Sequence, residues 1–320
     1  MRLPVMPPVS PMLAKSVKDI PNGSLSFEPK WDGFRSIVFR DGAEVEIGSR
    51  NGRPMTRYFP EVVDAVLANL PERCVLDGEI VVVGASGDRL DFEALQQRIH
   101  PAASRVALLS QQTPARFVAF DLLEHDGKVL LDEPFAGRRD LLEGLVTEPV
   151  GLTPRTLERR EAEPWLQGAE GVIAKELDAP YRPGERMGMV KVKRVRTIDS
   201  VVVGWRPGKE EGTLGSLILG LYDDDDGELR VVGHTSGFRA KQKRELPGFL
   251  APYETGERGS GDPSRWDSGR ELEWINVRPE LVAEVSFDHV SGHRIRHGAK
   301  FKRWREDKPP QECTLDQLQT

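Results

Sequence analysis

The sequence predicts an α+β chain of two modules, one of antiparallel sheets and helices over residues 1–196 and a small antiparallel β-barrel over 197–320. Three observations predict it. Hairpin, strand and helix patterns follow one another up to Lys193; beyond it come short strands with glycine-rich turns; and 320 residues suffice for two domains with separate cores. A content of 38% hydrophobic and 30% charged residues describes a soluble globular protein. Met1 to Leu13 is broken by Pro4, Pro7, Pro8 and Pro11 and has no apolar core of a signal peptide, and no run approaches transmembrane length. Cys74 and Cys313 have no metal spacing, so a reduced, cytoplasmic setting without disulfide or zinc is expected.

Residues 1–25 are proline-rich and extended, and they lead into a short apolar strand that delivers Lys30. A lysine between such a strand and the Asp32-Gly33 turn is held rigidly, its amine aimed at one atom of a substrate; that geometry suits a covalent nucleophile. Ser36 to Arg40 and Glu44 to Gly48 alternate about Asp41-Gly42 as a hairpin, and Arg50 follows its end. Phe59, Val62, Val63, Val66, Leu67 and Leu70 repeat at helical spacing behind Pro60.

Val75 to Val83 is a nearly continuous apolar strand interrupted by Asp77-Gly78-Glu79. Carboxylates among valines are costly without a cation to balance them, which makes Glu79 a candidate metal ligand. Arg116 to Leu123 is another buried strand, closed by the turn His125-Asp126-Gly127, and Arg138 to Val146 is a helix. Lys191 and Lys193 share one face of a strand by the period of two. Such neighbours repel unless an anion lies by them, and a triphosphate is such an anion. Arg194 to Ser200 is the expected hinge, followed by strands at Val201–Trp205, Gly215–Tyr222, Leu229–Gly233, Glu271–Val277 and Leu281–Phe287.

The formal net charge of −6 argues mildly against a nucleic-acid partner, but the charge is segregated. Arg186 to Arg196 holds five Lys/Arg and no acid, and His289 to Arg305 holds six Lys/Arg, three His and no acid. Asp223 to Asp226 forms an acidic, solvated turn. Local basic surface, more than the total, governs attraction to a polyphosphate backbone.

The run Lys30-Trp31-Asp32-Gly33-Phe34-Arg35 resembles the K-x-D-G-x-R signature of the covalent nucleotidyltransferases, which include ATP-dependent DNA ligases, RNA ligases and capping enzymes. Further elements follow in that family's order: Arg50-Asn51-Gly52, Asp77-Gly78-Glu79, Phe120-Asp121, Glu170 to Lys175, Lys191-Val192-Lys193, and Arg305-Glu306-Asp307-Lys308. Pro11-Met12-Leu13-Ala14 and Gly233 to Phe238 resemble the bacterial DNA ligase C group and the ligase module of DNA ligase D. The resemblance covers almost the whole chain, with no polymerase, nuclease or large N-terminal DNA-binding module expected.

The resemblance implies a nucleotidyltransferase (adenylation) domain followed by an OB-fold. It implies that Lys30 carries AMP from ATP and passes it to the 5′-phosphate of nicked duplex DNA, which the 3′-OH then attacks. Glu28, Arg35, Arg50, Glu79, Phe120, Glu170, Lys175, Lys191, Lys193, Arg305, Asp307 and Lys308 are implied nucleotide contacts. Among these, Arg50 faces the ribose, Phe120 stacks on the purine, and Arg305, Asp307 and Lys308 orient pyrophosphate. Glu79 and Glu170 are the implied ligands of Mg²⁺ or Mn²⁺. Where many ligases carry an aromatic near Lys191, this chain has Met189. A lysine near its reference pKa of about 10.4 is rarely neutral at pH 7, so Lys191, Lys193 and the metal are expected to favour the free amine of Lys30. The barrel is expected to swing about Asp199 between adenylation and DNA steps.

An RNA ligase or capping-type guanylyltransferase and a non-catalytic nick- or end-binding protein are the alternative readings. DNA repair is the expected setting, with a separate repair polymerase or end-binding protein as partner and a monomer as the default.

Overall fold

The computed structural model describes residues 1–84, 87, 89–100, 102–261, 272–288, 290–291, 293–295 and 298–318. The chain divides into two compact units, Met1–Arg194 and Val195–Thr320.

The first unit is built on two sheets. Its larger sheet has six strands, with Glu44–Ser49, Phe34–Asp41, Arg73–Val82, Ala115–His125 and Lys128–Val129 in spatial order and Gly151–Leu152 added to Ala115–His125. Gly42 closes the first hairpin at φ 61°, and Asp126 with Gly127 closes another at φ 48° and 83°. Alternation sorts the strand residues between two cores. Val38, Leu76 and Ile80 face the helix Pro60–Asn69 and its neighbours. Ile37, Phe39 and Val75 face the opposite way, toward Leu3, Val5, Met12, Tyr181 and Met189. The proline-rich start is therefore part of a core.

The smaller sheet has four strands, in the order Lys15–Val17, Met189–Lys193, Gly171–Glu176 and Leu25–Pro29. One face buries Phe27, Val172, Ala174 and Val192 against Ala162 and Trp165. The other face looks into a cleft toward the larger sheet. Two helices, Phe92–Gln97 and Ala103–Gln112, add to the expected elements, and the Asp91 carboxylate caps the first by accepting from the Ala94 N–H.

The second unit contains a ring of five strands. Arg196–Pro207 pairs with Leu214–Tyr222, which pairs with Leu229–Thr235. On its other edge Arg196–Pro207 pairs with Val282–Phe287, which pairs with Lys300–Trp304. A parallel bridge between Thr235 and Ala299 closes the ring, and the helix Ala240–Leu250 follows the third strand. This is the connectivity of an OB-fold barrel.

Two expectations are corrected here. The stretch Glu271–Val277 is outside the ring: Leu272–Val277 forms a hairpin with Glu254–Gly261 and touches the barrel through Asn276 and Ile275, while Glu271 lies outside the described residues. The fifth barrel strand is Lys300–Trp304, in the expected basic run, of which His289, Arg296 and His297 also lie outside the described residues. The expected hinge Arg194 to Ser200 is largely strand, since Arg196 to Val201 pair residue for residue with Phe287 to Val282. Its polar residues alternate with buried Ile198 and Ser200, a pattern too diluted by charge to read as a strand from sequence. No helix among the described residues is long and apolar enough to cross a membrane.

Candidate active site

The cleft of the first unit encloses about 830 Å³ open to solvent. Strand register explains its wall. Residues opposite one another in an antiparallel pair share a face, and Glu28 pairs with Ile173, Ile173 with Lys191, and Lys175 with Met189. All five line the cleft. From the larger sheet come Arg35 and Glu79, which are register partners, and Phe120. Phe120 owes its direction to a β-bulge: Asp77 pairs with Asp121 and Gly78 with Ala119, so Phe120 is the extra residue. Gly78 is required beside it, because a Cβ there would stand 2.4 Å from the Phe117 ring.

Lys30 sits just past the strand Leu25–Pro29, with its N–H bonded to the Gly171 carbonyl at 2.9 Å. Gly33 allows the turn that follows, since a Cβ there would be 2.3 Å from the Ile80 carbonyl oxygen. The Lys30 ammonium donates to Glu170, and Glu170 also pairs with Lys193 at 3.3 Å. Lys191 faces Lys30, Lys193 and Arg50; burial, then these like charges, lowers its pKa. Arg50, exposed in the turn after Glu44–Ser49, lines the same cleft.

Glu28 is buried and anchors two cations, Lys175 at 2.8 Å and Arg139 at 3.6 Å. Its Oε1 is left without a hydrogen-bond partner, and burial raises its pKa. Lys175 donates to the Phe120 carbonyl at 3.0 Å and lies 4.8 Å from that ring's centre, while the Arg35 guanidinium lies 4.5 Å from it. Two cations thus lie against the ring. Arg35 in turn makes two bonds of 2.6 Å to Asp77, which also accepts from the Tyr181 hydroxyl at 2.6 Å. The cation that balances Asp77 is therefore Arg35.

Among the described residues Glu79 has no such bidentate partner. Crowding by protein atoms pushes its carboxyl up to about 8, against the opposing pull of Arg35 and Lys30. Among the described residues no group of three or more His, Cys, Asp or Glu could hold a metal. A divalent ion that keeps some waters and takes its other ligands from phosphates needs only one or two carboxylates. Glu79, costly to ionise as it stands, and nearby Glu170 fit that description.

Arg305, Asp307 and Lys308 belong to the second unit. Arg305 binds Asp307 through two contacts of 2.8 Å and Asp199 through two of 2.9 Å, and Lys308 pairs with Glu312 at 2.7 Å. Asp307 is held down to about 2, chiefly by its hydrogen bond from Arg305.

Several cleft residues are not among the implied nucleotide contacts. Arg186, Trp31 and the strap Met12-Leu13-Ala14 also line it. Trp31 Nε1 donates to Thr153 Oγ1 at 2.8 Å, and Arg139 donates to the Thr153 carbonyl at 2.6 Å. Long-range partners such as Thr153 and Tyr181 have no local sequence signal. Arg186 stood in a basic run that pointed to an anion without singling it out.

The family model described as "ATP dependent DNA ligase domain" matches residues 11–193, and "ATP dependent DNA ligase C terminal region" matches 210–308. The chain is 50% identical to DNA ligase C2 of Mycolicibacterium smegmatis, over 99% of this chain and 96% of that protein. It is 47% identical to DNA ligase C of Mycobacterium tuberculosis, over 100% and 96%. Among solved structures, the ligase domain from M. tuberculosis LigD matches with a TM-score of 0.52 at 31% identity, covering 96% of this chain and 98% of that one.

Proposed function

The chain belongs to the ATP-dependent DNA ligases, and from that premise we propose that it seals 5′-phosphate/3′-OH nicks in duplex DNA by three phosphoryl transfers beginning at Lys30. The observation that carries this reading is the Lys30 amine held against Glu170 in a cleft also lined by Arg50, Arg186 and Lys191. Lys30 Nζ attacks the α-phosphorus of ATP; the N–P bond forms as the P–O bond to pyrophosphate breaks, and the amine's proton leaves toward Glu170. The AMP then passes to the 5′-phosphate of the nick. Finally the 3′-OH displaces AMP and the phosphodiester closes.

Phe120 stacks on the base, Arg50 reaches the ribose, and Lys191 and Lys193 meet the phosphates. Glu28, Arg35 and Lys175 hold the base end, the last two by fixing the Phe120 ring. Arg305, Asp307 and Lys308 orient the leaving pyrophosphate. Glu79 and Glu170 would hold Mg²⁺ or Mn²⁺, which would supply charge to offset that developing on the transferred phosphoryl group. Residues 1–196 form the adenylation domain and 197–320 the OB-fold domain. The protein acts as a cytoplasmic, nucleoid-associated monomer in DNA repair, with a separate repair polymerase or end-binding protein.

Sealing assays with nicked DNA and nicked RNA, each with ATP or GTP, test the reading. DNA sealing with ATP is expected; preference for RNA or GTP would favour an RNA ligase or capping-type enzyme instead.

A further inference from the structure

One short connector joins the two sheets that flank the cleft. Gly151 and Leu152 pair with Val118 and Ala119 of the larger sheet, and Thr156 then exchanges two backbone hydrogen bonds, of 2.8 and 3.0 Å, with Phe27 of the smaller one. Arg155 ties the connector to the helix Phe135–Leu145 through Glu143 at 2.8 Å and Asp140 at 2.9 Å. Between these anchors lies Thr153, which is 1% exposed.

Each polar group of Thr153 goes to a segment that carries a site residue. Its N–H donates to the Ala119 carbonyl at 3.0 Å, beside Phe120. Its carbonyl accepts from Arg139 at 2.6 Å, and the same guanidinium reaches Glu28 at 3.6 Å and Glu143 at 3.0 Å. Its hydroxyl oxygen accepts from the Trp31 indole N–H at 2.8 Å, beside Lys30. Thr113 shows the ordinary local arrangement, its hydroxyl donating at 3.2 Å to the Leu109 carbonyl of the helix it ends.

We propose that Thr153 is a positioning residue for lysyl-adenylate formation, fixing the distance between the Phe120 ring that takes the base and the Lys30 amine that attacks the α-phosphorus. The lysine turn has two fixed points. The Gly171 carbonyl holds the Lys30 N–H at 2.9 Å and belongs to the smaller sheet, whereas Thr153 holds Trp31 from the side of the larger one. Without the second, the turn follows the smaller sheet alone, while Phe120 stays with the larger. An attacking group tolerates little such error, since a misplacement of about 1 Å can cost roughly 10²-fold in rate. The role rests on the ligase reading and adds to it a residue that does not itself line the cleft.

The test is single-turnover labelling from α-³²P-labelled ATP over a range of ATP concentrations. Wild type is compared with Thr153→Val, Thr153→Ser, Trp31→Phe and Thr153→Val/Trp31→Phe. Valine keeps the shape of threonine and removes the acceptor, and serine keeps the acceptor. Thr153→Val and Trp31→Phe should each lower the rate at saturating ATP roughly 10- to 100-fold, with little change in the half-saturating ATP concentration. The double variant should be no slower than the slower single one, because both substitutions remove the same hydrogen bond. Thr153→Ser should recover most of the rate. Closure of a nick already adenylated, in which no bond forms at Lys30, should fall less.

Near wild-type rates in both single variants overturn the assignment. So does a Thr153→Ser loss equal to that of Thr153→Val, because the hydroxyl would then not be what matters. Multiplied losses in the double variant overturn it too, since the two residues would act independently, and so does an equal fall in nick closure, since the substitutions would act through the fold. Wild-type protein that takes up no label strikes the ligase reading and this role together; labelled wild type with unaffected variants strikes this role alone.

Discussion

Glu170 holds Lys30: the carboxylate just before the strand Gly171–Glu176 accepts from the amine just after the strand Leu25–Pro29, and also pairs with Lys193 at 3.3 Å. The expected nucleophile is thus aimed by an ion pair across 140 residues of sequence. To react it must leave that pair. Glu170→Gln keeps the shape and removes the charge; it is expected to slow lysyl-adenylate formation by roughly 10²- to 10⁴-fold, the usual span for a group that handles a proton in the transition state. Thermal stability should change little. Single-turnover labelling checks the first point and a melting curve the second, and a near wild-type rate would rule out the role given to Glu170.

Glu79 sets a pH dependence. Its folded-state carboxyl is pushed up to about 8, above an unfolded reference near 4.3, so the ligand-free protein binds more protons than its unfolded chain between those values. Stability from this group is fully present below the lower value and is lost as pH rises toward the upper. A divalent cation needs the ionised form, so apparent metal affinity should rise with pH up to about 8. Glu79→Gln should flatten both trends; calorimetry with Mg²⁺ across pH 6 to 9 would show it, and unchanged profiles in the variant would remove Glu79 from the metal site.

Asp77 ties the cleft to the core. It is fully buried and takes bonds from Arg35 and Tyr181, and the Tyr181 hydroxyl accepts from the Met12 N–H at 3.0 Å. Asp77→Ala strands a cation and a hydroxyl and should cost about 3–5 kcal/mol. Tyr181→Phe, which loses hydrogen bonds only, should cost about 1 kcal/mol. Denaturant melts of the two variants should keep that order; equal losses would mean that Asp77 acts through packing alone.

Arg305 is braced from two sides by Asp199 and Asp307. If its element serves pyrophosphate release, Arg305→Ala should lose lysyl-adenylate formation yet still seal a nick whose 5′ end is already adenylated. Equal loss of both activities would assign it to folding or DNA contact. Because Asp199 lies within a paired strand, any swing of the barrel should centre on the junction of Arg194 and Val195. Solution scattering unchanged by nucleotide and nicked DNA would contradict such a swing.

What the sequence disclosed divides along physical lines. The Lys30 turn, the hairpin at Gly42 and the paired lysines are local patterns whose periodicity survives into the structure. Phe120 is different: alternation alone would misplace it, because a bulge against Asp77 and Gly78 turns its ring, and only the family resemblance marked it. The ion pair of Arg35 with Asp77, the Thr153 anchor of Trp31 and the buried N-terminal strap are contacts between distant segments, for which one sequence carries no signal. In the barrel, Lys300–Trp304 is obscured by its charge, which the exposed positions of that strand tolerate, while the regular Leu272–Val277 pattern belongs to a hairpin outside the ring.

The central claim is that Lys30 carries AMP. The purified protein, stripped with pyrophosphate and then given a divalent metal and α-³²P-labelled ATP or GTP, should take up covalent label from ATP alone. Acid should release that label, alkali should not, and Lys30→Ala should take up none. Label that persists in Lys30→Ala, or that fails to appear on the stripped wild type, would contradict the account.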